Sequence, residues 1–173
     1  MLSLLAKLAL LAVVATAASP PKPLPSGALT PKFVAQIHAA GSRRKCIHVA
    51  GNIENGTPLQ VGDCVGGGFG NPPFEINGGL TEIRVAGSNY CVDVGNAPLN
   101  NGNQVKIWNC HGGYQQQFDY TRDGRIRVHG QNICLDVTDG KLENGNPIQI
   151  YSCGDLDNDN QWFPAENVVQ PRK

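Results

Sequence analysis

Two carboxylates in this sequence stand where they could do chemistry. Asp93 and Asp136 each lie two residues after a cysteine, and each is followed fifteen residues later by an aromatic, Trp108 or Tyr151. A glutamine comes next in both cases, Gln116 or Gln161. An ionised carboxylate is a multiple hydrogen-bond acceptor. An aromatic ring offers a large apolar face that is unfavourable to leave bare. The pair suits a ligand with an apolar face and a rim of hydroxyls, provided that both side chains reach the same side of the protein.

A repeat positions them. The first cysteines, Cys46, Cys91 and Cys134, are spaced by 45 and 43 residues. The second cysteines, Cys64, Cys110 and Cys153, follow at 18, 19 and 19 residues, and Gly56, Gly102 and Gly145 each precede them by eight. Phe74, Phe118 and Phe163 close the units at intervals of 44 and 45 residues. A period of this size marks one supersecondary unit copied around an axis. Six cysteines in a secreted chain allow fifteen pairings, and the repeat selects Cys46–Cys64, Cys91–Cys110 and Cys134–Cys153. In the chain-entropy account, closing each such loop contributes roughly 3 kcal/mol. No cysteine is then left as a nucleophile, and the short C-x2-C spacing of a zinc site is absent.

Short alternating runs predict strands, with no helical periodicity after the first residues. They are Gln36–Ala39, Glu82–Val85 and Arg125–Val128; Cys46–Val49, Cys91–Val94 and Cys134–Val137; and Leu59–Gly62, Val105–Trp108 and Ile148–Tyr151. Strands of this length, with turns every eight to twelve residues, indicate an all-β barrel or sandwich. Alternation turns Val92, Val94, Val105 and Ile107 inward and puts Cys91, Asp93, Lys106, Trp108 and Cys110 on the opposite face. If the paired cysteines stand directly opposite one another, Asp93 faces Trp108, Asp136 faces Tyr151 and His48 faces Gly62. A sugar fits such a pair, its C–H face on the ring and its hydroxyls donating to the carboxylate.

Residues 1–18 read as a signal peptide. Leu8–Val14 is too short to span a bilayer, and Ala15, Thr16, Ala17 and Ala18 suit cleavage. Residues 19–31 form a proline-rich segment, 32–167 one domain with a real core, and 168–173 a tail. Lys and Arg number 14 against 14 Asp and Glu, so removal of Lys7 leaves one net negative charge. Arg43-Arg44-Lys45 is the only basic run and reads as strand flank, not as a processing site. Nucleic acid is not an expected partner.

On these residues the chain resembles the ricin B-type (R-type) lectin domain, a β-trefoil, over 32–167, with repeats of about 32–77, 78–121 and 122–167. The family's Gln-x-Trp/Phe signature stands as Gln116-Gln117-Phe118 and Gln161-Trp162-Phe163. The resemblance implies four strands per repeat, six in a barrel and six in a cap, with the repeated aromatics in the core. In the third repeat Asp136 would accept sugar hydroxyls and Tyr151 would stack. Gln149 and Asn160 would add polar contacts, and Gln161 would orient Asp136 or reach the sugar. The second keeps Asp93, Trp108 and Gln116, with Lys106 in place of Gln149 and Gln115 in place of the asparagine. The first has His48, Gly62 and Pro72 at the key positions, keeping only Asn71 and Phe74, and would not bind.

The implied function is a secreted, extracellular lectin for galactose- or N-acetylgalactosamine-type glycans, without cofactor; a lone module of this kind is similar to fungal members. Glycosidase chemistry needs two carboxylates roughly 5 to 10 Å apart across one sugar, and the two aspartates belong to different repeats, so no enzyme is expected. A β-trefoil protease inhibitor and a glycan-docking effector or toxin are the alternatives. Asp155, Asp157 and Asp159 alternate like the start of a calcium loop but lack its glycine and later glutamate, so no metal is assigned. Asn55-Gly56-Thr57 is a possible N-glycosylation acceptor, with Pro58 beside it.

Overall fold

The computed structural model describes residues 33–64 and 71–167. The expected signal peptide, proline-rich segment and tail, and Lys32 at the domain edge, lie outside the described residues. The first repeat holds β1 (Phe33–Ile37), β2 (Lys45–Val49), β3 (Leu59–Asp63) and β4 (Phe74–Ile76). The second holds β5 (Gly79–Thr81), β6 (Arg84–Val85), β7 (Tyr90–Asp93), β8 (Lys106–Asn109) and β9 (Phe118–Tyr120). The third holds β10 (Ile126–Val128), β11 (Ile133–Val137), β12 (Ile148–Ser152) and β13 (Ala165–Asn167). β5 and β6 are the two halves of the strand that β1 forms unbroken. β1 pairs with β4 of its own repeat and with β13, as β5 pairs with β9 and β6 with β4. The split at Glu82-Ile83 accounts for the thirteenth strand of a four-strands-per-repeat plan.

The apolar faces meet in one core. Val92, Val94, Val105 and Ile107 are buried as the alternation requires, and Phe74, Phe118 and Phe163 occupy equivalent, fully enclosed places. Each repeat then reaches into the next through its Asn-Gly loop. The Gly56 N–H donates to the Ile107 carbonyl, Gly102 to Ile150 and Gly145 to Val61, each at 2.9 Å. Their φ angles are 89°, 89° and 91°, a region in which an L side chain is strained. The asparagines before them add a second tie. Asn55 Oδ1 accepts from Asn109 N at 2.7 Å and Asn101 Oδ1 from Ser152 N at 2.8 Å, while Asn144 Nδ2 donates to Asp63 Oδ2 at 2.7 Å. The chain of contacts closes on itself, first repeat to second to third and back to first. Asn55 of the sequon is exposed, with its Oδ1 committed to this tie.

The three disulfides are those the repeat selects, with Cα–Cα separations of 5.1, 5.0 and 5.0 Å. The strand register differs from the expectation. Cys91 stands opposite Trp108 and Asp93 opposite Lys106; Cys134 opposite Tyr151 and Asp136 opposite Gln149; Cys46 opposite Gly62 and His48 opposite Gln60. Each second cysteine lies past its strand, where Cys110 N donates to Asn89 O at 2.9 Å and Cys153 N to Asn132 O at 3.1 Å. The disulfide therefore runs diagonally across the ribbon, with its Cα atoms inside the usual bridging range. A slip of two residues leaves every side chain on its expected face, so the aspartates and aromatics still share one side.

Candidate functional site

In the second repeat β7 delivers Asp93 and β8 delivers Lys106 and Trp108, and the 3-10 turn Tyr114–Gln116 packs against β7. Asp93 is only 4% exposed. Its Oδ1 accepts from the Gly95 N–H at 2.7 Å and its Oδ2 from Gln116 Nε2 at 3.0 Å. Gln116 is fully buried and anchored at both ends, receiving the His111 N–H at 2.8 Å and donating to the Asn109 carbonyl at 3.0 Å. A pocket of about 170 Å³ opens above, floored by Asp93 and rimmed by Asn96, Lys106, Trp108, His111 and Gln115. Trp108 is 38% exposed beside the buried carboxylate, with the Lys106 ammonium 5.3 Å from its ring centroid. Gln115 Nε2 holds Asn96 Oδ1 at 2.7 Å on the rim.

The third repeat builds the same frame from β11, β12 and the 3-10 turn Asp159–Gln161. Gln161 Nε2 donates to Asp136 Oδ2 at 3.0 Å and to the Ser152 carbonyl at 3.1 Å, while its Oε1 accepts the Gly154 N–H at 2.9 Å. Gln149 Nε2 takes the other oxygen, Asp136 Oδ1, at 2.9 Å. Tyr151 is 45% exposed. Asn160 packs its amide against Gly140, where a Cβ would meet its Oδ1 at 2.6 Å. Burial pushes the Asp136 carboxyl above its ordinary range, the Gln149 and Gln161 hydrogen bonds oppose that, and Asp139 nearby adds to it.

Gln116 and Gln161 were expected among the sugar contacts, with an orienting role left open for Gln161. Both are fully buried and donate to their aspartates, an anchoring position in place of a surface one. Gln161→Leu should leave Asp136 Oδ2, the Ser152 carbonyl and the Gly154 N–H without that partner. The expected loss is about 3 kcal/mol of stability, read by denaturant melting; an unchanged midpoint would show that the amide anchors nothing.

The first repeat lacks the frame. A Cβ on Gly62 would meet His48 Nδ1 at 2.4 Å, so the imidazole covers the position where the other repeats carry an aromatic. Burial lowers the His48 pKa, and the ring serves as packing. Asn71 ties backbone instead, accepting from Val49 N at 3.2 Å and donating to the Ile47 carbonyl at 3.1 Å. His111, Asn96 and Gly95 are the site residues that sequence reading passed over. The signal was positional: His111 directly follows a second cysteine, and Gly95-Asn96 directly follows the aspartate strand.

Among the described residues, the one close group of metal-ligand types is His38 with Cys46 and Cys64. Those cysteines form a disulfide, so they offer no thiolate. Asp155, Asp157 and Asp159 stay exposed around the turn that carries Gln161.

Solved structures share the architecture. The designed three-fold symmetric protein ThreeFoil is 23% identical, with a TM-score of 0.64 over 76% of this chain and 96% of its own. The C-half of the earthworm R-type lectin, in complex with GalNAc, is 18% identical, with a TM-score of 0.63 over 79% of this chain and 99% of its own. A non-toxic homologue of type II RIPs from bitter gourd, in complex with α-methyl-D-galactoside, is 20% identical, with a TM-score of 0.62 over 78% of this chain and 48% of its own. Residues 79–172 match the ricin-type β-trefoil lectin domain. With three disulfide-closed copies of one β unit and that match over more than half its length, the chain belongs to the ricin-type β-trefoil lectin family.

Proposed function

We propose that this protein is a secreted carbohydrate-binding module that recognises galactose- or N-acetylgalactosamine-type glycans through its second and third repeats. The observation that carries the reading is the duplicated frame: a buried aspartate held by a fully buried glutamine beneath an exposed aromatic, at Asp93, Gln116 and Trp108 and again at Asp136, Gln161 and Tyr151. A merely solvated face has no need of a desolvated carboxylate beside an exposed ring. The ligands of the earthworm and bitter gourd proteins support the sugar class. The arrangement holds acceptors still; it does not pose an acid and a base across a bond, which favours binding over catalysis. Residues 1–18 support secretion. Single sites should bind at about −4 to −6 kcal/mol, near millimolar to tens of micromolar.

A glycan array probed with the chain from Ser19 onward tests this. Signal on terminal galactose-type glycans is the expected result. A folded, disulfide-bonded protein that gives none would overturn the reading, and assays against serine and cysteine proteases would follow.

Acidification should separate the two sites. Asp136 accepts hydrogen bonds from sugar hydroxyls most strongly while ionised, because protonation turns one of its oxygens into a donor, and its folded pKa is raised. In an Asp93→Ala variant, titration calorimetry should show lactose binding fading, as pH falls, at a midpoint above the ordinary aspartate value of about 3.9. Ionisation of Asp136 correspondingly weighs against folding at neutral pH, and that penalty fades as pH falls through the folded pKa. A midpoint at or below the ordinary value would contradict this.

A further inference from the structure

We propose that the second-repeat site is specialised for an acidic glycan, one bearing a carboxylate or sulfate, with Lys106 as the partner of the anion. This rests on the reading of that pocket as a sugar site and names what distinguishes it from its copy.

Of the differences between the two sites, one changes the charge beside the aspartate. Lys106 stands opposite Asp93 as Gln149 stands opposite Asp136. Gln149 spends its amide on its aspartate, at 2.9 Å. Lys106 does not. Asp93 Oδ1 is already satisfied by the Gly95 N–H and Oδ2 by Gln116, and the acid's nearest cationic-type partner is His111 Nε2, at 3.5 Å. Gly95 makes this possible. Its N–H donates to Asp93 Oδ1 at 2.7 Å, whereas Thr138, at the same place in the third repeat, donates its N–H to the Pro147 carbonyl at 3.3 Å. The backbone thus does in the second repeat what Gln149 does in the third, and the lysine is released.

Among the described residues the released ammonium makes no ion pair. It lies over the Trp108 ring, 5.3 Å from its centroid, on the rim of the pocket. A neutral sugar stacking on Trp108 must displace this cation from the ring and offers it only hydroxyls. A sugar with an anionic substituent draws the ammonium off the ring into a charge-assisted hydrogen bond and leaves the platform free. Lysine, a compact charge with three donors on a flexible stem, suits either a carboxylate or a sulfate. The His111 imidazole stands on the same rim. The one acid lining the pocket, Asp93, already accepts from Gly95 and Gln116 and makes no ion pair with the lysine, while its remaining lone pairs stay open to sugar hydroxyls.

The test isolates the second repeat with Asp136→Ala and measures lactose, sialyllactose and sulfolactose by titration calorimetry, with and without Lys106→Gln. Near-ultraviolet circular dichroism checks the fold of each variant. The expected result is binding of one or both acidic sugars about fivefold tighter than lactose. That advantage should shrink with added salt and disappear in Lys106→Gln. The acidic sugar that gains identifies carboxylate or sulfate as the preferred anion. Equal affinity for all three sugars, or a preference that survives Lys106→Gln, overturns the proposal while lactose binding keeps the lectin reading intact. Failure of all three sugars to bind overturns both.

Discussion

Replacing both Asp93 and Asp136 by alanine is expected to reduce glycan binding below detection on an array, while either single change leaves one working site. Asp93 floors the pocket of the second repeat and Asp136 holds the equivalent place in the third, so they are the expected acceptors for sugar hydroxyls. Hydrogen bonds to a charged group contribute about 1.5 to 3 kcal/mol each. Loss of two per site removes most of an affinity of about −4 to −6 kcal/mol. The fold should survive, because Gln116 and Gln161 retain carbonyl partners at Asn109 and Ser152, and removing a buried Asp136 carboxylate also removes its desolvation penalty. Single variants should still lose the gain that two sites on one rigid body provide, which reaches about 100-fold or more when geometry permits both to engage. Binding that persists in the folded double variant would move the site elsewhere on the molecule.

The largest stability effect is expected from Phe163→Ala. Phe163 is fully enclosed and belongs to the same continuous core as Phe74 and Phe118. Truncating a buried phenylalanine costs about 3 to 5 kcal/mol, the lost transfer energy plus the cavity left behind. Folded domains hold only about 5 to 15 kcal/mol in total. Thermal unfolding with the disulfides intact should show a Tm lowered by about 10 °C or more. Phe163→Leu, closer in volume, should cost about 1.5 kcal/mol or less. A Tm shift of only a degree or two in the alanine variant would mean that the core relaxes into the space and that the repeated aromatic is dispensable.

Much of this site was legible from particular residues. Strand alternation is local, so parity alone put Asp93, Lys106 and Trp108 on one side of the β7–β8 ribbon, and the two-residue slip in register did not disturb it. The phenylalanine period located the core for the same reason. Asp93 and Asp136 were visible as a pair because each repeats with its aromatic and glutamine at nearly fixed distance. The slip itself was not legible. Cysteine spacing is the same whether a disulfide runs straight across a ribbon or diagonally, and only the register of the paired strands decides between them.

The sequence by itself determined the threefold repeat, the disulfide partners, the buried aromatics and which two repeats keep an aspartate, because each of these follows from period and residue type. Tertiary structure decided the rest. It put His48 over Gly62, sealed Gln116 and Gln161 beneath the aspartates and turned the Gly95 N–H onto Asp93, so that Lys106 stands free over Trp108. It also joined each Asn-Gly loop to the next repeat. These features depend on how far each atom lies from groups many residues away, and hydrogen bonding and desolvation change over ångströms, a scale that residue spacing along the chain does not encode.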